Sequence, residues 1–174
     1  MIHVVAHNKK ETQVKPVVQE EKTGCGIASA ANIVGKTYGE MKRIANAMGI
    51  YAEDESLWSD TRYVRTLLSR FGVTTSEGEI PFTTWQALPD LALLSIKHHR
   101  ENGTDFWHWV VFSREEGVEC VLDSASYLES NRRTDFDAMT PTWFIEVQKP
   151  APWGWLDASS IDPIGSNAMN IRFP

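Results

Sequence analysis

Hydrophobic residues recur at helical spacing in three stretches of the first half of the chain. The first stretch places apolar residues at the i, i+3, i+4 and i+7 positions of a packed helix, namely Ile27, Ala30, Ala31 and Val34. The third carries Tyr63, Val64, Leu67, Leu68 and Phe71 at similar spacing and stops at Gly72, a residue that commonly ends helices. We therefore predict helices over residues 25–35, 38–48 and 59–71.

The second half of the chain has the shorter hydrophobic runs that are typical of strands. Residues 92–96 form a nearly continuous apolar run and predict a buried strand, and residues 143–147 predict another. Between them, residues 107–123 predict a β-hairpin. The remaining predicted elements are a strand-like then irregular segment over 1–18, helical turns over 83–88 and 135–139, and a loop over 98–105. Helices followed by strands indicate an α+β fold with an antiparallel sheet.

Length and composition predict a single domain. The 174 residues, 42% apolar and 23% charged, suffice for one well-packed core and are too few for two domains of ordinary size. After Pro150 the periodicity stops, and two prolines, two tryptophans and a glycine follow over a short stretch. We therefore assign residues 1–150 to the domain and residues 151–174 to an irregular tail that wraps over the sheet or is partly disordered.

Charge and hydropathy argue against several classes of partner. A net charge of −6 with no run of Lys or Arg disfavours nucleic acid, whose phosphates require a basic surface. No apolar run reaches the roughly eighteen residues of a membrane span, and Met1 to Ala6 is too short for the core of a signal peptide. Two cysteines do not form a dense disulfide scaffold, so we expect a cytoplasmic, reducing location.

Four residues in the order Gln, Cys, His and Asp provide the candidate chemistry. Cys25 begins the first predicted helix, where the helix N-terminus stabilises a thiolate. Gln19 precedes it in the loop and can fold back, so that its amide joins the backbone N–H of Cys25 in binding an oxyanion. His108 is the candidate base and Asp123 the residue that orients it, as a Cys-His-Asp triad requires.

The predicted hairpin brings His108 and Asp123 together. With Ser113 opposite Val118 across the turn, counting outward places His108 opposite Asp123 on one face of the sheet. This pairing requires a loop with an even number of residues, because an odd loop would move the two side chains to opposite faces. The same count turns Cys120 to the other face, where we expect a buried thiol rather than a second nucleophile.

These residues resemble the cysteine peptidase domains that cleave double-glycine leaders from bacteriocin precursors, and the standalone relatives of those domains. The similarity spans residues 17–126. It rests on Gln19 with Cys25 six residues later, on the helix of small residues that follows Cys25, on the second helical stretch over 38–48, and on the strand with His108 followed by Asp123. It implies a papain-like fold, with N-terminal helices packed on a C-terminal antiparallel sheet. It also implies that Gln19 donates to the oxyanion and that Cys25, His108 and Asp123 are nucleophile, base and partner.

The sequence also departs from the better-known members of this group. It contains neither the membrane span nor the ATPase that usually follow the leader-cleaving domains, so we do not expect a role in leader processing coupled to export. It also lacks the Cys-Gly-Ser-Cys-Trp run of the lysosomal papain relatives.

We expect a peptide or protein substrate, no cofactor and no metal. Gly24, Trp107 and Trp109 are the candidate substrate-binding residues, because they flank the nucleophile and the base. Most of the seven tryptophans should nevertheless belong to the core. His98 and His99 are adjacent, so their side chains point apart, and no further ligand lies at metal-binding spacing.

Three functions are compatible with these residues. The leading hypothesis is a cysteine peptidase that hydrolyses a peptide bond through a thioester on Cys25. The same triad would serve a papain-fold deamidase or a transglutaminase-like acyltransferase acting on a side-chain amide. A noncatalytic binding module would require a damaged triad, whereas the sequence retains every member.

Overall fold

The structure, a computed structural model, describes residues 15–150. Segments 1–14 and 151–174 lie outside the described residues, and with them most of the predicted N-terminal strand-like segment and the whole predicted tail. The helices are α1 (Cys25–Val34), α2 (Tyr38–Ala47) and α3 (Arg62–Ser69). The strands are β1 (Thr74–Thr75), β2 (Ile80–Pro81), β3 (Leu91–Glu101), β4 (Thr104–Glu115), β5 (Val118–Asp123), β6 (Arg132–Arg133) and β7 (Trp143–Gln148). Single-turn 3-10 helices cover Glu55–Leu57, Trp85–Ala87 and Phe136–Ala138.

Local sequence signals fix the helix ends that lead to the site. Helix α1 starts at Cys25 and ends at Val34, and the φ of 73° at Gly35 then turns the chain so that the N–H of Lys36 also donates to the carbonyl of Ala31. Helix α2 starts with a capping box, in which Thr37 and Glu40 satisfy each other's backbone N–H groups. The apolar face of α1 then packs on the sheet, and that of α2 packs on α1.

All strand pairs are antiparallel, and the strand order is β1-β7-β3-β4-β5-β6, with β2 also pairing with β7. One face of the sheet packs against the three helices through Leu93, Trp109, Val111, Leu122 and Ile145. The other face is covered by the irregular segments that carry Leu88, Trp85, Phe136 and Met139. Three helices on an antiparallel sheet confirm the predicted α+β class.

The end of the β3–β4 hairpin differs from the prediction. Residues 98–105 were expected to form a loop, but β3 runs on to Glu101 and β4 starts at Thr104, with a two-residue turn between them. Strand β3 bulges here, because Lys97 and His98 both lie opposite Trp107. The Asn-Gly pair in the turn explains the extended hairpin, since both turn residues have positive φ.

The turn between β4 and β5 is also tighter than predicted. Glu115 pairs with Val118, so only Glu116 and Gly117 form the turn, and Ser113 lies opposite Cys120 instead of Val118. Both turn residues have positive φ, 51° and 81°, as two-residue type I′ turns require. The sequence signal was weak because glutamate seldom adopts this conformation.

We expect Glu116→Asn to stabilise the fold by about 1 kcal/mol, because asparagine adopts positive φ at lower cost. Thermal or urea unfolding measures the change. The matched control is Glu115→Asn, which places asparagine in the extended strand one residue earlier and should not stabilise. Destabilisation by Glu116→Asn would contradict the assigned turn.

Candidate active site

A cleft of about 700 Å³ opens where α1 begins and the long β3–β4 hairpin ends. Cys25, His108 and Gln19 all line it, so three of the four residues expected to act in catalysis share one cavity. Its walls are largely apolar and aromatic, and include Ile50, Tyr51, Leu57, Trp58, Phe106, Trp107 and Trp109. The end of the β3–β4 hairpin, which was predicted to be a loop, contributes one wall of the cleft.

The loop that precedes Cys25 is hydrogen-bonded to the rest of the domain at several points. The N–H of Val17 donates to the side chain of Asn32 at 2.9 Å. The Thr23 hydroxyl donates to the carbonyl of Ala52 at 2.5 Å. The Glu21 carboxylate accepts from the hydroxyl of Tyr38 and pairs with Lys42. These contacts fix the segment that precedes the thiol.

Two tyrosines explain the glycines on either side of Cys25. A Cβ atom at Gly24 would collide with the hydroxyl of Tyr38, and one at Gly26 would collide with the ring and hydroxyl of Tyr63. Burial raises the pKa of Tyr63 well above its ordinary value of 10.0, and the nearby Cys25 acts in the same direction. The phenol beside the thiol therefore stays protonated at neutral pH.

His108 and Asp123 are in contact, although their predicted register is wrong by two residues. Asp123 lies opposite Val110, and His108 is the residue two positions earlier on the same face of β4. The His108 Nε2 and Asp123 Oδ1 atoms are 2.7 Å apart. The error left the face unchanged because the shift is even, and a diagonal pair of side chains of this length can still meet.

The pKa values of His108 and Asp123 are both strongly shifted. Burial favours a neutral ring, but hydrogen bonding and charge from Asp123 and Cys25 outweigh it and raise the pKa of His108 to about 9. Asp123 is fully buried, which opposes ionisation. Its contacts with His108, the N–H of Ala125 and Arg133 outweigh burial and lower its pKa to about 2. The pair is therefore an imidazolium and a carboxylate at neutral pH.

This geometry leaves the other ring nitrogen of His108 for the thiol. Because Nε2 faces Asp123, Nδ1 is the nitrogen that can exchange a proton with Cys25. Cys25 is partly exposed at the start of α1, where the N-terminal amides and an imidazolium both stabilise negative charge on sulfur. The arrangement can generate a nucleophilic thiolate and return a proton to a leaving group.

Gln19 lines the cleft, but its amide hydrogens are engaged. Its Nε2 donates to the carbonyls of Glu21 and Lys22, each at 2.9 Å. Its Oε1 accepts from the hydroxyl of Ser124 at 2.8 Å, and its backbone N–H donates to the carbonyl of the same serine. Gln19 thus links the loop before Cys25 to the residue that follows Asp123.

The three candidate substrate-binding residues fall into two environments. Trp107 and Trp109 line the cleft and pack edge to face with each other and with Trp143, at centroid distances between 5.2 and 5.8 Å. Gly24 is buried beside Tyr38 and does not line the cleft. Gly24 therefore packs against Tyr38 next to Cys25 and does not face the space for a ligand.

The remaining candidates make other contacts, although His99 also lines the cleft. Cys120 is buried, as predicted, with 2% of its surface exposed, and burial raises the pKa of its thiol. His98 and His99 lie on the hairpin, beside Asp105 and the carbonyl of Lys97 respectively. Within residues 15–150 no three His, Cys, Asp or Glu side chains gather closely enough to hold a metal ion.

Sequence reasoning missed three residues that shape the site. Ser124 anchors Gln19, Tyr63 packs beside Cys25, and Arg133 contacts Asp123 at 3.0 Å from strand β6. Strand β6 has only two residues, too few for a hydrophobic pattern. The available signal was the pair of arginines shortly after Asp123, within reach of a buried carboxylate.

The chain was compared with models of protein families and with curated proteins, and it matches none of them. Among residues 15–150 no helix has the length and apolar character needed to cross a bilayer. The case for a function therefore depends on the geometry of the cleft.

The His108–Asp123 pair should make stability depend on pH. The pKa of His108 is raised from 6.5 to about 9, so its stabilisation is complete below about pH 6.5 and lost towards pH 9. The pKa of Asp123 is lowered from 3.8 to about 2, so its stabilisation is present above about pH 4 and lost towards pH 2. In urea unfolding, we expect the stability difference between wild type and His108→Ala to be largest at about pH 4–6.5 and to shrink by about pH 9. A difference that stays constant over this range would contradict the contact.

Proposed function

We propose that this protein is a papain-like cysteine peptidase that hydrolyses a peptide bond with Cys25, His108 and Asp123. The observation that carries the proposal is the 2.7 Å contact between His108 and buried Asp123 in a cleft that Cys25 also lines from a helix N-terminus. Each group has the neighbour that its role needs: the thiol a base, the base an orienting carboxylate.

The reaction follows from these positions. In the resting enzyme the proton of Cys25 resides on Nδ1 of the His108 imidazolium, and the thiolate attacks the carbonyl carbon of the substrate amide. As the C–N bond breaks, the His108 imidazolium gives its proton to the leaving amine, and the acyl group remains on sulfur as a thioester. His108 then takes a proton from water, whose oxygen attacks the thioester carbon. The C–S bond breaks, which releases a carboxylic acid and restores the thiolate–imidazolium pair.

The oxyanion of each tetrahedral intermediate needs donors. The backbone N–H of Cys25 lies at the start of α1, where no earlier turn of helix accepts its hydrogen bond. We assign the side chain of Gln19 as the second donor. In this role its amide must exchange one of its two bonds to the carbonyls of Glu21 and Lys22 for the oxyanion.

Activation of the thiol is tested by alkylation with iodoacetamide, followed by mass spectrometry of the labelled peptides. We expect Cys25 to react well below the pH at which a free thiol does, over about pH 5–8, because a helix N-terminus and an imidazolium favour the thiolate. Cys120 should lag far behind, because it is buried. Similar rates for the two cysteines in the folded protein would show that Cys25 is not activated.

Hydrolysis itself is tested by incubating the protein with a mixed peptide library and identifying products by mass spectrometry. We expect new peptide termini with the wild type, none above background with Cys25→Ala or His108→Ala, and retained cleavage with the control Cys120→Ala. Cys25 lines an open cleft, so its loss should not unfold the domain, and circular dichroism checks that His108→Ala, which removes a donor to buried Asp123, stays folded. Intact peptides in which a side-chain amide has become a carboxylate would identify a deamidase instead.

A further inference from the structure

Arg133 and His108 both contact the carboxylate of Asp123, and they reach it from the two strands on either side of β5. Strands β4, β5 and β6 are neighbours in the sheet, with Asp123 at the end of the central one. Val110 lies opposite Asp123 on β4, and Val121 lies opposite Arg133 on β6. His108 and Arg133 are therefore both diagonal neighbours of Asp123 on one face, and they approach its carboxylate from two sides.

The carboxylate of Asp123 is fully partnered by three donors. Oδ1 accepts from His108 Nε2 at 2.7 Å and from the N–H of Ala125 at 3.1 Å. Oδ2 accepts from Arg133 Nη1 at 3.0 Å. Asp123 has no exposed surface, so without the guanidinium Oδ2 would lose its one partner among residues 15–150 and water would not replace it freely.

Arg133 is itself held in place. Its Nε and Nη2 atoms donate to the two carboxylate oxygens of Asp135, at 3.0 and 2.7 Å, in a bidentate pair. The side chain is 13% exposed, whereas that of Asp135 is 54% exposed. A chain of alternating charge thus runs from His108 through Asp123 and Arg133 to Asp135 at the surface.

We propose that Arg133 is a positioning residue for the His108–Asp123 pair, which keeps the Asp123 carboxylate ionised and aimed at the ring. This inference rests on the proposed function. It assigns a task in the thiol chemistry to a residue that does not line the cleft and contacts neither the thiol nor the space for substrate.

Removal of the positive charge of Arg133 should shift the titration of the site in one direction. Without a positive charge at position 133, loss of a proton from either Asp123 or Cys25 becomes less favourable, because each deprotonation adds negative charge to the cluster. The thiolate–imidazolium pair should then form only at higher pH. A residue that merely supports the fold would lower the amount of folded protein without moving this titration.

The test is the pH dependence of Cys25 alkylation by iodoacetamide in the full chain, between about pH 4.5 and 8. Arg133→Gln keeps a hydrogen-bond donor but removes the charge. Arg133→Lys keeps the charge. The matched control is Arg132→Gln, because this neighbour pairs with Leu122 and alternates to the other face of the sheet. Labelling of buried Cys120 in the same samples reports any unfolding.

We expect the acid limb of the Arg133→Gln profile to move up by about one pH unit, a typical effect of one nearby charge. The profiles of Arg133→Lys and Arg132→Gln should stay close to the wild type. An unshifted Gln profile, or a Lys profile displaced as far as the Gln profile, overturns the assignment. If wild-type Cys25 reacts no faster than a free thiol, the proposed function fails instead, and the two failures are distinguishable.

Discussion

The structure of the site depends on the complete burial of the Asp123 carboxylate. An ionised group without exposed surface is strongly destabilising unless it is paired and hydrogen-bonded, and this one accepts from a histidine, a backbone N–H and an arginine. Two of these donors come from neighbouring strands. The same desolvation makes each charge at the carboxylate more effective, which is why the pKa of His108 rises although the ring is buried.

A second constraint couples the strand end to the thiol. Ser124 directly follows Asp123, and it binds Gln19 through both its backbone carbonyl and its hydroxyl. Gln19 in turn holds the carbonyls of the loop that leads to Cys25. The nucleophile, Cys25, and the orienting carboxylate, Asp123, lie far apart in the sequence, yet a few hydrogen bonds connect them in space. The cleft can therefore keep its geometry although the loop has no regular secondary structure.

Elements with a clear hydrophobic pattern could be predicted from the sequence. The three helices were predicted because their buried residues recur at helical spacing, and strands β3 and β7 because their apolar runs are bounded by polar residues. Turn positions were harder, since Glu116 carries a conformation that glutamate rarely adopts. Strand β6 and the role of Arg133 were missed because a two-residue strand has no pattern of its own and exists only through pairing with β5.

The contact between His108 and Asp123 was found through a register that proved wrong by two residues, and the reason is physical. Alternation in a strand fixes the face of a residue by parity alone, so an error of two leaves both side chains on the same face. The remaining offset along the strand is bridged because diagonal neighbours lie about 7–8 Å apart, within reach of a long side chain. An error of one residue would have placed Asp123 on the face that Cys120 occupies. Parity is therefore what the sequence determines most securely in this hairpin, and the offset is set by the turn.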